Sequence, residues 1–509
     1  MNCASELLDA QEPSALALVC RDDRGRTEFT FAEVAALSGA LAVELDAAGI
    51  GPGDVVLTLF GNRVEWALSM VAVFHAGGVV LPCLEQLRPK DLLQRMEATR
   101  PRAVLADPRN RASLDEAIAL LPSGRRPIVI EPDLVALQSA VTRGDQAPLP
   151  RADAGPEAPA LITFTSGTSG PPKAVVHAQR YVTGQRLQAT HWFGAQPGRL
   201  AWCTAAPGWS KSARNVFIAP WLRGAPALLH DARFDPRERL AVLHEERPHV
   251  LCMAPTEYRI MSLLPELALP DSLERLVAAG EALDPAVLAA WHEASGLWVR
   301  DGFGQTETGQ LTAPPDGTDP LPGSMGRPLP GVALALEFPA DMAEDDADEV
   351  GAVGELVITD PSTVPTFFLG YLNPESGAPV AHDGPWRTGD RAWQNAAGDL
   401  FFVGRTDDVI ASSGYRIGPF EVESVLVEHP AVAEAAAVAA PDPDRGSVVR
   451  AVVVLRDGFS PSSELATELQ AHVRERTAPY KYPRIVDFVE ALPKTASGKV
   501  RRALLRDGG

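Results

Sequence analysis

Thr163-Phe164-Thr165-Ser166-Gly167-Thr168-Ser169-Gly170-Pro171-Pro172-Lys173 follows a short apolar run, Ala160-Leu161-Ile162, and carries almost nothing bulky. Hydroxyls and glycines alternate through it and a lysine closes it. Glycines let a turn take positive φ and bring backbone N–H groups close to a ligand. Successive N–H groups in such a turn form a concave anion site, to which the hydroxyls and Lys173 add donors and charge. A loop of this kind, fed by a strand, holds a polyphosphate. It is not the Walker pattern, which needs Gly-x-x-x-x-Gly-Lys-Ser/Thr opening a helix. Lys173 follows two prolines, and proline disfavours helix in the residue before it. A flexible Ser/Gly linker is the alternative, but a linker needs neither the entering strand nor the closing lysine.

Working outward, strand and helix signals alternate on the N-terminal side. Thr30 and Glu33 read as a capping box ahead of Val34, Leu37, Leu41 and Leu45, which lie on one helical face. Gly49-Ile50-Gly51-Pro52-Gly53-Asp54 stops that helix, and Val55 to Phe60 reads as a buried strand. A helix through Ala67, Met70, Val71 and Phe74 and a strand at Val79-Val80-Leu81-Pro82 come next. This alternation predicts an α/β sheet with helices packed on it. Residues 131–159 lose periodicity and gather Pro, Ala and Gly, which reads as a surface connection into the loop.

Beyond the loop the alternation resumes to about residue 300. Asp341 to Glu349 is an acidic run that reads as a solvated loop. Short β-like runs fill 351–403, including Gly354 to Ile358 and Asp399 to Val403, and suggest a β-rich subdomain. After Gly404-Arg405 the texture changes. Strands at Ala435 to Ala439, Val448 to Leu455 and Ile485 to Val489 surround a helix carrying Leu465, Leu469 and Val473 on one face. The expected class is α/β: a large N-terminal domain (1–405) of α/β subdomains plus a β-rich subdomain, then a small α+β C-terminal domain (406–509).

Composition narrows the function classes. A chain of 509 residues with 46% hydrophobic and 22% charged residues is that of a soluble globular enzyme. Its net charge of −20 argues against nucleic-acid binding, which needs a basic face. Cys3, Cys20, Cys83, Cys203 and Cys252 are odd in number and scattered, without CxxC spacing, so neither a disulfide framework nor a zinc site is expected. A reducing cytoplasm fits. Met1 to Ala10 lacks a basic region followed by an apolar run, so no signal peptide is expected, and no run approaches a membrane span.

Five further stretches stand in order behind the loop: Gly280-Glu281-Ala282-Leu283, Asp301-Gly302-Phe303-Gly304-Gln305-Thr306-Glu307-Thr308, Trp386-Arg387-Thr388-Gly389-Asp390, Gly404-Arg405-Thr406-Asp407-Asp408-Val409-Ile410 and Pro493-Lys494-Thr495-Ala496-Ser497-Gly498-Lys499. Together they resemble the adenylate-forming superfamily of acyl-CoA synthetases, luciferases and peptide-synthetase adenylation domains. Ser412 to Glu423, with Ala478-Pro479-Tyr480-Lys481-Tyr482-Pro483-Arg484, is most similar to medium-chain acyl-CoA synthetases. The likeness covers about residues 25–505.

The resemblance implies ATP, Mg²⁺ and coenzyme A, a carboxylic acid substrate, and an acyl-AMP intermediate. Attack of a carboxylate on the α-phosphate must overcome repulsion between anions, so positive charge must meet where charge builds up. Lys499 resembles the catalytic lysine. Thr165, Ser166, Gly167, Thr168, Ser169, Gly170 and Lys173 are expected on the ATP phosphates. Gly280, Glu281 and Ala282 with Phe303 are expected around adenine, although Phe303 also reads as plain core. The family often has Tyr at Phe303, so stacking is kept and a hydroxyl lost. Asp301, Gly302, Gly304, Gln305 and Thr306 complete the nucleotide set. Glu307, with Thr165, fits Mg²⁺, which takes few carboxylates and keeps waters. Asp390 and Arg405 match the ribose pair, although an Asp after Arg-Thr-Gly can also cap a turn.

For the second half-reaction, the family's mobile C-terminal domain turns about the position of Asp407. Gly414 then lines the pantetheine tunnel, and Ser413, Tyr415, Arg416 and Arg445 are candidates for holding CoA; Arg445 reads equally as a solvated loop residue. Trp209, Phe217 and Gly304 should line the acyl pocket, with Trp202, Pro207-Gly208 and Val216 nearby. Lys211 and Arg214 bracket this region and read more readily as a solvated helix face than as partners for a polar or anionic substituent. Medium-chain, aromatic and branched acids all remain open, as do oligomeric state and a carrier protein in place of CoA. A non-catalytic nucleotide-binding relative would have lost the lysine or the Asp390/Arg405 pair; neither is lost.

Overall fold

Thr30 caps helix Phe31–Ala47 as its sequence predicts: Glu33 N–H donates to the Thr30 hydroxyl and Thr30 N–H to the Glu33 carboxylate, while Val34, Leu37, Leu41 and Leu45 are buried. The computed structural model describes residues 1–509 except 145–148, 166–171, 281, 282, 284, 339–350, 407, 409, 413, 414, 443–445, 478–480, 496–498, 508 and 509. The side chains of 285, 411, 412, 415, 416, 421, 446 and 507 are likewise not described.

Two large sheets carry the N-terminal part. The first runs in the order Pro379–Val380, Gly370–Leu372, Ala174–Ala178, Pro159–Phe164, Val79–Cys83, Val55–Leu59, Ala103–Ala106, Ile128–Ile130. It is parallel from Pro159–Phe164 onward and antiparallel on the other side. The second runs Val299–Gly302, Arg275–Ala279, Val250–Met253, Ala201–Cys203, Ala227–His230, Leu16–Asp22, Gly25–Thr30, with only the last pair antiparallel.

Because side chains alternate across a strand, each sheet divides its residues between two apolar layers. Val56, Val80 and Leu105 of the first sheet share one core cluster with Leu18, Leu229 and Val277 of the second. Leu57, Leu81 and Val104 face a different cluster, and Val19, Leu228 and Leu251 a third. Helices Phe31–Ala47 and Val64–His75 contribute to the shared layer. All twelve residues of Val64–His75 are buried, as a helix enclosed on every side requires.

The reading of 131–159 as an irregular connection is corrected. Leu134–Arg143 is a helix; the Asp133 carboxylate accepts from the N–H groups of Val135 and Ala136, and Gly144 closes it at φ 66°. It fully buries only Leu137, with Leu134 packed half-buried on the core; Leu134, Leu137 and Val141 do carry a helical period, which the Pro, Ala and Gly gathered after residue 143 obscure.

The β-rich expectation is met by an antiparallel sheet of Leu334–Glu337, Val353–Ile358, Trp386–Gln394 and Leu400–Arg405. The acidic run from Asp341 to Glu349 lies outside the described residues. Toward the C-terminus, Val432–Asp442, Gly446–Leu455 and Ile485–Phe488 form a sheet under helix Ser463–Arg476, whose Leu465, Leu469 and Val473 are buried. These residues, with Val422 and Leu426 of helix Pro419–Val427, make a separate core cluster. All five cysteines are free and buried. Among the described residues no helix is long and apolar enough to cross a membrane.

Candidate active site

The phosphate loop and the motifs beginning at Gly280 and Asp301 leave the carboxyl ends of strands with parallel neighbours, where open α/β sheets place ligands. Strand Pro159–Phe164 delivers the phosphate loop. Its base is closed by Thr165 N–H donating to Lys173 O (2.9 Å) and Lys173 N–H to the Thr165 hydroxyl (3.2 Å). Ser166, Gly167, Thr168, Ser169 and Gly170 lie outside the described residues. The Lys173 ammonium sits 4.9 Å over the Tyr371 ring. The Tyr371 hydroxyl donates to the Glu307 carboxylate (2.8 Å), and burial followed by the Glu307 charge raises the phenol's pKa. Lys173, Tyr371 and Glu307 thus form one group. Nothing in the sequence singled out Tyr371, which reads simply as a strand residue after Gly370.

Strand Val299–Gly302 delivers the second motif. A Cβ at Gly302 would stand 2.2 Å from Gln310 Nε2, and one at Gly304 2.1 Å from Gly309 O, so both positions exclude side chains. Phe303 is 8% exposed, belongs to the shared core, and is held by its N–H donating to the Thr312 hydroxyl at 2.9 Å. Burial pushes the Asp301 carboxyl up to about 8, against the Gly302 N–H and the Lys211 charge. Phe368 N–H donates to Glu307 O (2.8 Å), docking the motif onto the segment that carries Tyr371.

Gln305 ties this motif to the antiparallel sheet. Its amide donates to Asp390 Oδ2 (2.6 Å) and Thr388 O (2.7 Å), while Trp386 Nε1–H donates to its carbonyl oxygen (3.0 Å). Asp390 and Arg405 face each other across neighbouring strands, with Arg405 Nη1 3.3 Å from Asp390 Oδ1 and 2.9 Å from Thr388 O. Burial raises the Asp390 pKa; the Arg405 charge and the Gln305 bond oppose that, and Lys499 adds to them. Gly389, at φ 72°, leaves the space the Arg405 guanidinium occupies. Asp390 N–H also donates to the Thr388 hydroxyl (3.0 Å), so Thr388 rather than the aspartate side chain stabilises this turn. Trp386 and Thr388 were inside a quoted motif yet had been given no role.

Lys499 closes a tight hairpin in which Thr495 N–H donates to Lys499 O (2.8 Å) and Lys499 N–H to the Thr495 hydroxyl (3.1 Å). Its charge reaches Asp390, which brings the last motif of the chain to the sheet that carries the third and fourth.

Around the expected acyl pocket the two sheets meet closely. A Cβ at Gly208, whose φ is 94°, would stand 2.5 Å from Leu84 N. Trp209 is half-buried, whereas Phe217 is fully buried with its ring 5.3 Å from Trp66 and 4.8 Å from Trp221. Lys211 donates to Ala279 O (3.3 Å) beside Gly280, which is held at φ 106°. The solvated-face reading of Lys211 and Arg214 is corrected. Arg214 is 5% exposed, because it opens a wide helical turn, Arg214–Ile218, whose five residues are all buried.

Residues 8–372 match the model of the AMP-binding enzyme family and residues 421–499 that of the AMP-binding enzyme C-terminal domain. The chain belongs to the AMP-binding enzyme family. This AMP-binding enzyme is 36% identical to the mitochondrial acyl-coenzyme A synthetase ACSM4 of Rattus norvegicus, over 99% of the chain and 90% of the relative. It is 35% identical to the uncharacterized acyl-CoA ligase YtcI of Bacillus subtilis, over 96% of the chain and 92% of that protein. A benzoate CoA ligase from Burkholderia xenovorans superposes with a TM-score of 0.84 at 29% identity, covering 99% of this chain and 100% of the other.

Of the other site residues expected for this AMP-binding enzyme, Glu281, Ala282, Asp407, Ser413, Gly414 and Arg445 lie outside the described residues, as do the side chains of Tyr415 and Arg416. Thr306 is partly buried between Gln305 and Glu307.

Proposed function

We propose that the protein is an AMP-forming acid–CoA ligase. The observation that carries this reading is its near-full-length similarity to acyl-CoA synthetases. A carboxylate oxygen attacks the α-phosphorus of ATP, the bond to the leaving pyrophosphate breaks, and acyl-AMP forms. The thiolate of CoA then attacks the acyl carbon and AMP leaves.

In this reading Lys499 meets the charge that builds up during the first step, when two anions are forced together. Asp390 takes the ribose hydroxyls: a carboxylate offers about four acceptor positions, and Gln305 and Arg405 leave some of them open. Phe303 and the Gly280 turn flank adenine, and Lys173 and Thr165 hold phosphate. Glu307 suits Mg²⁺, since one of its oxygens accepts from Tyr371 and a single carboxylate suffices beside ATP oxygens and waters. When bound, the ion would offset polyphosphate charge. We place the domain division near 405/406, with Asp407 as pivot and Gly414, Tyr415 and Arg416 toward CoA. Five free buried thiols are compatible with the cytoplasm, the location we propose.

The test is pyrophosphate release over a panel of carboxylic acids, with and without CoA. Acid-dependent release followed by CoA-dependent thioester is the expected result. Release with some acid but no thioester from free CoA would leave a carrier-loading enzyme instead.

A further inference from the structure

We propose that the acid activated here carries a second carboxylate, remote from the reacting one, and that Arg214 is the side chain that reads it. The inference rests on the ligase reading above and names the substrate class within it.

Arg63, Arg239 and Arg300 are, like Arg214, less than a tenth exposed. Each of these three is held: Arg63 by Asp107 (3.1 Å), Arg239 by Glu257 (3.2 Å), and Arg300 by the carbonyls of Pro314, Pro315 and Thr318 (2.6–3.0 Å). Arg214 is the most buried of the four, and among the described residues its Nε and Nη1 have no hydrogen-bond partner. The side-chain hydrogen bond it makes is to the neutral Tyr181 hydroxyl, and a buried guanidinium that has lost its water without meeting an anion is strongly disfavoured. Folded proteins keep such a group where a ligand supplies the missing charge.

Its surroundings are polar and similarly unsatisfied. Asn215 Nδ2, Gln188 Oε1 and both amide atoms of Gln185 are buried without partners among the described residues, in residues at most 2% exposed. Gln185 and Gln188 line a narrow crevice with Gln310 and Thr366 on one hand and the apolar Leu187, Val332 and Val364 on the other. Gln310, whose Oε1 is also unpartnered, lies across Gly302, in the motif delivered by strand Val299–Gly302. In sequence Arg214 stands between Trp209 and Phe217, in the stretch expected beside the acyl group. A plain alkyl tail directed here would leave every one of these atoms unpaired. A terminal carboxylate would satisfy Arg214 in the fork geometry that guanidinium and carboxylate share. Glutamine and asparagine amides are well suited to hold its remaining lone pairs.

A site built to bond a polar group rejects the analogue lacking it far more strongly than an apolar pocket rejects one methylene. The experiment compares straight-chain monocarboxylic acids with α,ω-dicarboxylic acids of matching length, reading kcat/KM for pyrophosphate release. At the best length the dicarboxylate is expected to win by about tenfold or more. Arg214→Met should bring that ratio down at least about tenfold, and Arg214→Lys should retain part of it. Should Arg214→Met fail to fold, the wild-type ratio and that of Arg214→Lys still decide. Wild-type preference for the monocarboxylate at every length would overturn the inference and leave the ligase reading standing. No pyrophosphate release with any acid of a broader panel would overturn the ligase reading, and this inference with it.

Discussion

Lys499 and Asp301 carry charge questions of opposite kind. Lys499 is exposed on its hairpin, so its removal costs the fold little, and its effect should fall on the transition state of adenylation. Lys499→Ala is expected to slow acyl-AMP formation by about a hundredfold or more, while conversion of synthetic acyl-AMP and CoA to thioester persists. Quench-flow measurement of the two half-reactions checks this; equal loss of both would make Lys499 a structural residue. Asp301, only partly exposed, has its carboxyl pushed up to about 8 by burial. The folded protein therefore holds a proton that the unfolded chain has released above the ordinary carboxylate range. Stability must fall as pH rises from that range towards 8. Asp301→Asn has no proton to lose, so its melting temperature should gain on the wild type between pH 5 and 9, by about 2 °C or more. Calorimetry across that range showing a constant gap would refute the assignment.

At the level of elements, two local devices make separable predictions. Helix Leu134–Arg143 depends on its Asp133 cap because it buries a single side chain. Asp133→Ala should cost about 1 kcal/mol, concentrated in that helix. Amide exchange in 134–143 should accelerate while that of the enclosed helix Val64–His75 stays unchanged. The short hairpin Gly304–Gln305 with Gly309–Gln310 has the opposite character, since backbone presses on backbone there. Gly304→Ala would put a methyl 2.1 Å from Gly309 O, so the strand must move and take Gln305 with it. The Gln305 bond to Asp390 then lengthens, and KM for ATP should rise alongside any effect on the acid. A change in the acid's KM alone would mean the two are not coupled through this hairpin.

On the scale of the whole molecule, the two halves of the proposed reaction make different demands. The N-terminal sheets share one core cluster through enclosed helices, whereas the residues from Ile410 on build their own. A body with a separate core can turn as a unit, and the rotation must be absorbed by a few backbone torsions. Asp407→Pro fixes φ near −65° and restricts the residue before it. The variant should keep pyrophosphate exchange and lose most thioester formation. A wild-type thioester rate would move the pivot to another residue.

Much of this was legible in the chain before folding. The capping box at Thr30, the strand into Thr165, the face of Leu465, Leu469 and Val473, and the ordered motifs ending at Lys499 are all local signals. Each depends on neighbours a few positions apart, which is where spacing carries information. Helix Leu134–Arg143 carries its period in Leu134, Leu137 and Val141, but over barely three turns and next to a Pro/Ala/Gly-rich stretch that reads as loop. Tyr371 and Thr388 escaped because their importance lies in partners far along the chain, Glu307 and Lys173 for one and Gln305 and Leu356 for the other. Arg214 shows the limit most clearly. An arginine three residues from a lysine reads as a solvated face, and only the burial of the whole turn Arg214–Ile218, beside Tyr181, decides that it is enclosed. Sequence determines which residues can pair, cap or cradle; the tertiary structure decides which of them lose their water, and that loss gives a charge its chemical use.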